Sequence, residues 1–223
     1  MIVISDMMGT LTTGSPVLGQ VSWVREHQSK LRANWFMLQM LPSYFLAKRG
    51  LLDWQSWGQS LMVSGLGLVR NATPETLEQI AEWSVERDLW PGRREDALAR
   101  LSEHAKNGAQ VYIASSVFEP TVAAFAKRIG AKAIGTPLEI VQGRVRVAAG
   151  LVSSQRKIDE VLSRLGAQRV DVAYGDTAQD IPLLEYADHP VAVYPDDALK
   201  TVALERGWEI LGDRAGSGVY DAL

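Results

Sequence analysis

Short apolar runs rich in valine and isoleucine recur along this chain, and helical periodicity fills the intervals between them. The runs are Ile2–Ser5, Gln110–Ala114, Val170–Tyr174, Val191–Tyr194 and Trp208–Leu211. Each is too short for a helix and is bounded by turn residues, as strands covered on both faces of a parallel sheet are. The helical intervals cover Pro91–Asn107, Pro120–Ile129, Gln155–Leu165, Ile181–Ala187 and Asp197–Arg206. This alternation predicts βαβ units and an α/β fold with a doubly wound, Rossmann-like parallel sheet. A separate pair of runs, Leu138–Val141 and Arg144–Val147, flanks Gln142-Gly143 and predicts a hairpin attached to that core.

From about Gly14 to Leu89 the pattern breaks. No strand run occurs there, the stretch reads as helical throughout, and Thr73-Pro74 marks a helix start. Six of the seven tryptophans fall in this stretch or at its exit: Trp23, Trp35, Trp54, Trp57, Trp83 and Trp90. A block of about 75 residues is too long for a connection. The expectation is an inserted all-helical domain over residues 14–89, with the α/β core built from 1–13 and 90–223. Within the insert, Trp35–Leu52 carries Phe36, Met37, Leu38, Met40, Leu41, Tyr44, Phe45 and Leu46. Packing inside the insert accounts for them; left exposed, they would suit a membrane surface.

Composition removes several classes of chemistry. There is no cysteine, so zinc–thiolate sites, thiol catalysis and disulfides are excluded. A net charge of −3 with no Lys/Arg run gives no footprint for nucleic acid. The N-terminus lacks the basic and apolar regions of a signal peptide, and no stretch approaches the roughly 20 apolar residues of a membrane span. A cytoplasmic location without membrane contact is therefore expected. His27, His104 and His189 show no metal-ligand spacing, and the glycine pattern at Gly65-Leu66-Gly67 lacks the third glycine of a dinucleotide fingerprint.

In a doubly wound sheet, ligands bind at the carboxyl edge of the strands, so the residues after each strand belong together. They are Asp6-Met7-Met8-Gly9-Thr10 after the first, Ser115-Ser116 after the second, and Gly175-Asp176 through Asp180 after a later one; Lys157 opens a helix. Carboxylates, a hydroxyl and an ammonium converging on one edge suit in-line phosphoryl transfer, which needs a nucleophile, a hard cation and compensation of phosphate charge.

These motifs, in this order, resemble the haloacid dehalogenase-like (HAD) superfamily, in particular its phosphoserine phosphatase-like branch. The pattern there is D-x-D-x-T, then Ser or Thr, then Lys, then G-D-x-x-x-D, with a helical cap inserted after the first motif. The resemblance implies Asp6 as a nucleophile that forms an aspartyl-phosphate, and Mg2+ held by Asp6, the Met8 carbonyl, Asp176 and Asp180. It implies Ser115 as a phosphoryl hydrogen-bond donor and Lys157 as the cation that neutralises Asp6 and the phosphate. Backbone N–H groups at Met7, Met8 and Ser116 would complete a phosphate cradle. The implied partner is a small phosphorylated substrate, with cap residues such as Arg25, His27, Lys30 and Arg32 offered for specificity.

One position departs from the pattern. The second Asp, which protonates the leaving oxygen, is Met8 here. Methionine transfers no proton, so expulsion of a poor alkoxide should slow by roughly 10²–10⁴-fold, whereas aryl and acyl phosphates need little protonation. A phosphate-ligand binding protein without turnover stays open at this point. Carbon–halogen cleavage is disfavoured, because enzymes of that type lack the G-D-x-x-x-D arrangement.

Overall fold

A computed structural model describes residues 1–166 and 169–213. The last ten residues of the expected core, 214–223, lie outside the described residues. Six parallel strands form the sheet: β1 (Ile2–Ser5), β2 (Gln110–Phe118), β3 (Lys132–Thr136), β6 (Val170–Gly175), β7 (Ala187–Val193) and β8 (Glu209–Leu211). Their order is β3-β2-β1-β6-β7-β8. The hairpin strands β4 (Leu138–Val141) and β5 (Arg144–Val147) pair separately and antiparallel. Gln142 and Gly143 both take positive φ, 52° and 72°, as a two-residue turn of this kind requires.

The strands alternate between two apolar layers, as a period of two demands. Val3, Val111, Ile113, Val172, Tyr174, Val191 and Val193 face one side, where they meet α5 (Glu95–Lys106) and α6 (Glu119–Arg128). Ile4, Tyr112, Ala114, Ala173 and Ala192 face the other, against α7 (Ser154–Leu165), α8 (Ile181–Glu185) and α9 (Asp197–Arg206). Both faces are therefore covered, and the fold is the doubly wound α/β sheet that the sequence predicts.

Between β1 and α5 every regular element is helical: α1 (Pro16–His27), α2 (Lys30–Lys48), α3 (Trp54–Gly65), a 3-10 turn over Leu66–Leu68, α4 (Pro74–Ser84) and a π-helical turn over Val85–Leu89. Each of the four α-helices starts on an oxygen-bearing cap. The Ser15, Ser29, Asp53 and Thr73 side chains accept from the third residue on, and proline follows at Pro16 and Pro74. The chain enters and leaves this block through two adjacent segments. Thr13 N donates to Gly92 O at 2.9 Å, and Thr12 Oγ1 donates to Leu89 O at 2.5 Å. A Cβ on Gly14 would sit 2.1 Å from Asp88 O, so only glycine lets the two segments approach this closely.

One apolar cluster runs from Val17, Val21 and Trp57 through Val85 and Leu89 to Phe125 and the strand residues. The expectation that packing accounts for Trp35–Leu52 fails on one face. Phe36 and Ala47 are buried, but Trp35, Leu38, Leu41, Phe45 and Leu46 are exposed.

Candidate active site

β1 pairs with β2 on one side and β6 on the other, and the chain winds in opposite directions from this point. The crevice between β1 and β6 is thus the topological switch point of the sheet, where ligands of such folds bind. Asp6 follows β1 directly, and its N–H donates to Tyr174 O of β6 at 2.9 Å. Asp176 follows β6 directly, and Asp180 ends the short 3-10 turn Ala178–Asp180. Lys157 projects from the first turn of α7.

The four side chains meet and all are buried. Lys157 Nζ donates to Asp6 Oδ1 and to Asp180 Oδ1, each at 2.7 Å. One carboxylate oxygen from each of Asp6, Asp176 and Asp180 lies within 4.8 Å of the others, a spacing suited to a shared cation. Burial pushes the Asp6 carboxyl up to about 6, against the pull of the Lys157 ammonium. For Lys157 burial acts downward, yet the Asp180 and Asp6 carboxylates prevail and hold the ammonium above its ordinary value.

Thr10, quoted in the first motif but assigned no role from sequence, is fully buried here. Its hydroxyl reaches Asp176 Oδ1 at 3.1 Å and Asp6 Oδ2 at 3.4 Å, which ties the two strand ends together. Its single proton serves one of them at a time. Gly9 makes this possible. It takes φ +87°, and a Cβ there would fall 2.0 Å from Asp176 Oδ2. Gly9→Ala should therefore strain the loop and displace Asp176, lowering the melting temperature by about 2–10 °C. A thermal unfolding curve equal to wild type would refute that account.

Two serines sit differently from expectation. Ser115 and Ser116 do not follow β2 but lie within it, where the register with β3 shifts between Ala114 and Phe118. The Ser115 hydroxyl is buried and accepts from Val117 N at 3.4 Å. Ser115 stands two residues beyond Ile113, the partner of Ser5, and so at the level of Met7 on the same edge. The strand continues because Val117 and Phe118 bury into the apolar layer beneath α6. Met7 is fully buried, and its carbonyl accepts from Leu11 N and Thr12 N. Met8 is half-buried and packs against the apolar cluster.

Sequence reasoning also missed contacts around the carboxylates. Arg94 Nε donates to Gly9 O at 2.7 Å, and its guanidinium stacks 3.8 Å from the Tyr194 ring centre. Gln59 of α3 donates to Gln179, between Asp176 and Asp180, at 3.4 Å. Of the residues offered for specificity, His27 stacks on Trp23 and Arg32 donates to Leu68 O, so both are engaged within the helical block. Gln59 carried no signal in the sequence, since only the fold brings α3 to the edge of the carboxylate cluster.

Known proteins resemble this chain in sequence and in fold. The family profile described as haloacid dehalogenase-like hydrolase matches residues 3–185. A phosphoserine phosphatase of Mycobacterium tuberculosis is 31% identical over 140 residues, which are 60% of this chain and 44% of that protein. The inhibition of morphological differentiation protein of Streptomyces azureus is 32% identical over 151 residues, 65% of this chain and 54% of its own. The chain spans about half the length of the curated relatives it matches. Among solved structures, a Bordetella pertussis protein of unknown function superposes with a TM-score of 0.73 at 20% identity, covering 95% of this chain and 97% of that one. A phospho-aspartyl intermediate analogue of phosphoserine phosphatase does so with 0.57 at 17% identity, covering 94% and 91%. At these identities the structures speak for the fold alone.

Proposed function

The chain belongs to the haloacid dehalogenase-like hydrolase family, and from that premise we propose that it is a Mg2+-dependent phosphohydrolase for a small phosphorylated metabolite, working through an aspartyl-phosphate on Asp6. One observation carries the reading: Asp6 and Lys157 lie in hydrogen-bond contact beside Asp176 and Asp180, all buried at the switch point of the sheet. The name of its phosphoserine phosphatase relative from Mycobacterium tuberculosis suggests the substrate class.

An all-oxygen set of three carboxylates suits a hard divalent cation. Asp6, Asp176 and Asp180, with the Met8 carbonyl, would hold Mg2+, which when bound screens phosphate charge. In the first step an Asp6 carboxylate oxygen attacks phosphorus, the ester P–O bond breaks, and the leaving oxygen takes its electron pair and a proton from solvent. Lys157 balances the charge that Asp6 and the phosphoryl oxygens share. In the second step water attacks the same phosphorus, the bond to Asp6 breaks, and inorganic phosphate leaves with the carboxylate restored. Ser115 is read as a hydrogen-bond donor to the phosphoryl group, with the N–H groups of Met7, Met8 and Ser116. Residues 14–89 are read as a cap over this edge, a role favoured by the Gln59–Gln179 contact.

The direct test is release of phosphate from p-nitrophenyl phosphate or acetyl phosphate, with and without Mg2+. Turnover that needs the metal supports the reading, and none with either substrate refutes it. Calorimetric binding of a phosphorylated ligand without turnover would instead assign a binding protein, and dehalogenation that survives EDTA would revive the third chemistry. The cation can also be read thermally. At about 100 times its Kd, Mg2+ should raise the melting temperature by about 5–10 °C. Asp176→Asn should remove most of that rise, and an equal rise in the variant would exclude Asp176 as a ligand.

A further inference from the structure

We propose that the outer face of α2 is an interfacial surface that lies on a bilayer containing anionic phospholipid. Leu31, Trp35, Leu38 and Phe45 stand 54–78% exposed. Their spacing of four, three and seven residues, with Pro42 between the last two, puts them on one side of the helix. Leu41 and Leu46 broaden the strip, and Leu51 and Leu52 extend it past the Gly50 turn. The opposite side of α2 carries the buried Ala33, Phe36 and Ala47. The helix is thus apolar on both sides, one facing the protein and one facing outward.

Charge selects the occupant. From Gln28 to Leu52 there is no acidic residue, while Lys30, Arg32, Lys48 and Arg49 flank the two ends of the strip. The remainder of the chain carries seven more acidic than basic residues. Lys30, Lys48 and Arg49 are exposed. Arg32 is partly engaged through Leu68 O and Gln28. A second copy docked through this face by a two-fold axis would set Lys30 and Arg32 of one helix beside Lys48 and Arg49 of the other, or each against itself. Neither arrangement offers those cations a carboxylate from α2. An anionic headgroup layer does, and the aromatic and leucine side chains between the cations then enter the acyl boundary. The helix lies on the bilayer rather than across it: no helix among the described residues is long and apolar enough to span.

Co-sedimentation with 3:1 phosphatidylcholine:phosphatidylglycerol vesicles at low salt tests the proposal. Wild type should pellet with these vesicles and far less with pure phosphatidylcholine. Lys30→Gln with Lys48→Gln should weaken binding by roughly 20–30-fold. Leu38→Glu with Phe45→Glu should weaken it by more than about a hundredfold, with circular dichroism unchanged. Tryptophan emission should shift to the blue on vesicles and lose most of that shift in Trp35→Phe. Folded wild type that stays in the supernatant overturns the proposal, as does binding indifferent to Leu38→Glu with Phe45→Glu. A solution dimer that those substitutions break, without vesicle binding, would assign the face to a second copy instead. These readouts need no turnover, so they stand apart from the phosphatase assay.

Discussion

Asp6→Asn is expected to abolish turnover, by roughly 10⁴–10⁶-fold, while the protein stays folded and, in EDTA, loses no thermal stability. The kinetic part follows from covalent chemistry, since an amide oxygen does not become a carboxylate leaving group and loss of a nucleophile costs on this order. The thermal part follows from the site's electrostatics. Asp6 is buried, and burial raises its carboxyl to about 6. Lys157 keeps Asp180 at 2.7 Å when Asp6 is neutralised, so no ammonium is orphaned. The sign of the pH dependence is fixed by the same shift. A carboxyl whose folded value exceeds the ordinary one binds its proton more tightly in the native state, so its ionisation costs stability as pH rises from about 4 through 6. In EDTA, the melting-temperature gap between Asp6→Asn and wild type should widen in the variant's favour across that window. Phosphate release retained within tenfold of wild type would remove Asp6 from the nucleophile's role, and a gap that closes as pH rises would contradict the burial account.

Such a pairing of lost activity with retained stability is expected wherever a site concentrates like charges that folding alone would not choose. It also bears on what the sequence could reveal. The Val/Ile runs located five of the six sheet strands because a strand covered on both faces must be apolar throughout. β3 escaped: Lys132-Ala133-Ile134-Gly135-Thr136 is an edge strand whose glycine packs against the Glu119 backbone, and its composition resembles a loop. The hairpin matched residue for residue, since Gln142-Gly143 permits few alternatives to a tight turn. The helix begun at Pro91 starts instead at Glu95, because Arg93 and Arg94 bond back to the first loop and cannot join it. Strand β7 begins at Ala187, in a stretch containing Asp188, His189 and Pro190 that periodicity alone would leave outside a strand.

The site divides in the same way. Asp6, Lys157, Asp176 and Asp180 were legible because each stands at a strand end or helix start that the alternation had already located. Thr10 was legible only as a letter of the motif; its bridging of two carboxylates depends on the loop that Gly9 allows. Ser115 was expected after its strand and stands inside it, since a register shift cannot be read from one strand's composition. From sequence the outward face of α2 is expected inside the insert, because apolar content says that a residue can be covered, never by what. Tertiary contact decides that, and here it covers only one side of the helix.

Met8→Asp should raise hydrolysis of alkyl phosphate monoesters by about 10²–10⁴-fold, the range of a positioned general acid. Methionine at this position is half-buried against the apolar cluster, two residues beyond Asp6 and next to Gly9. An alkoxide leaving without a proton carries nearly a full charge in the transition state, and no side chain at position 8 relieves it in the present protein. An aryl leaving group spreads that charge over its ring, so the same substitution should change p-nitrophenyl phosphate turnover far less. The contrast between the two substrates is the informative quantity, because a general improvement of the fold would lift both together. Met8→Asn provides the control: it is similar in size and polarity to the aspartate but transfers no proton, and it should leave alkyl turnover near wild type. Equal gains from Asp and Asn would show that polarity or space, and not proton transfer, limits the reaction. No gain from folded Met8→Asp would place the limit elsewhere, in the hydrolysis of the phosphorylated Asp6 or in the release of product.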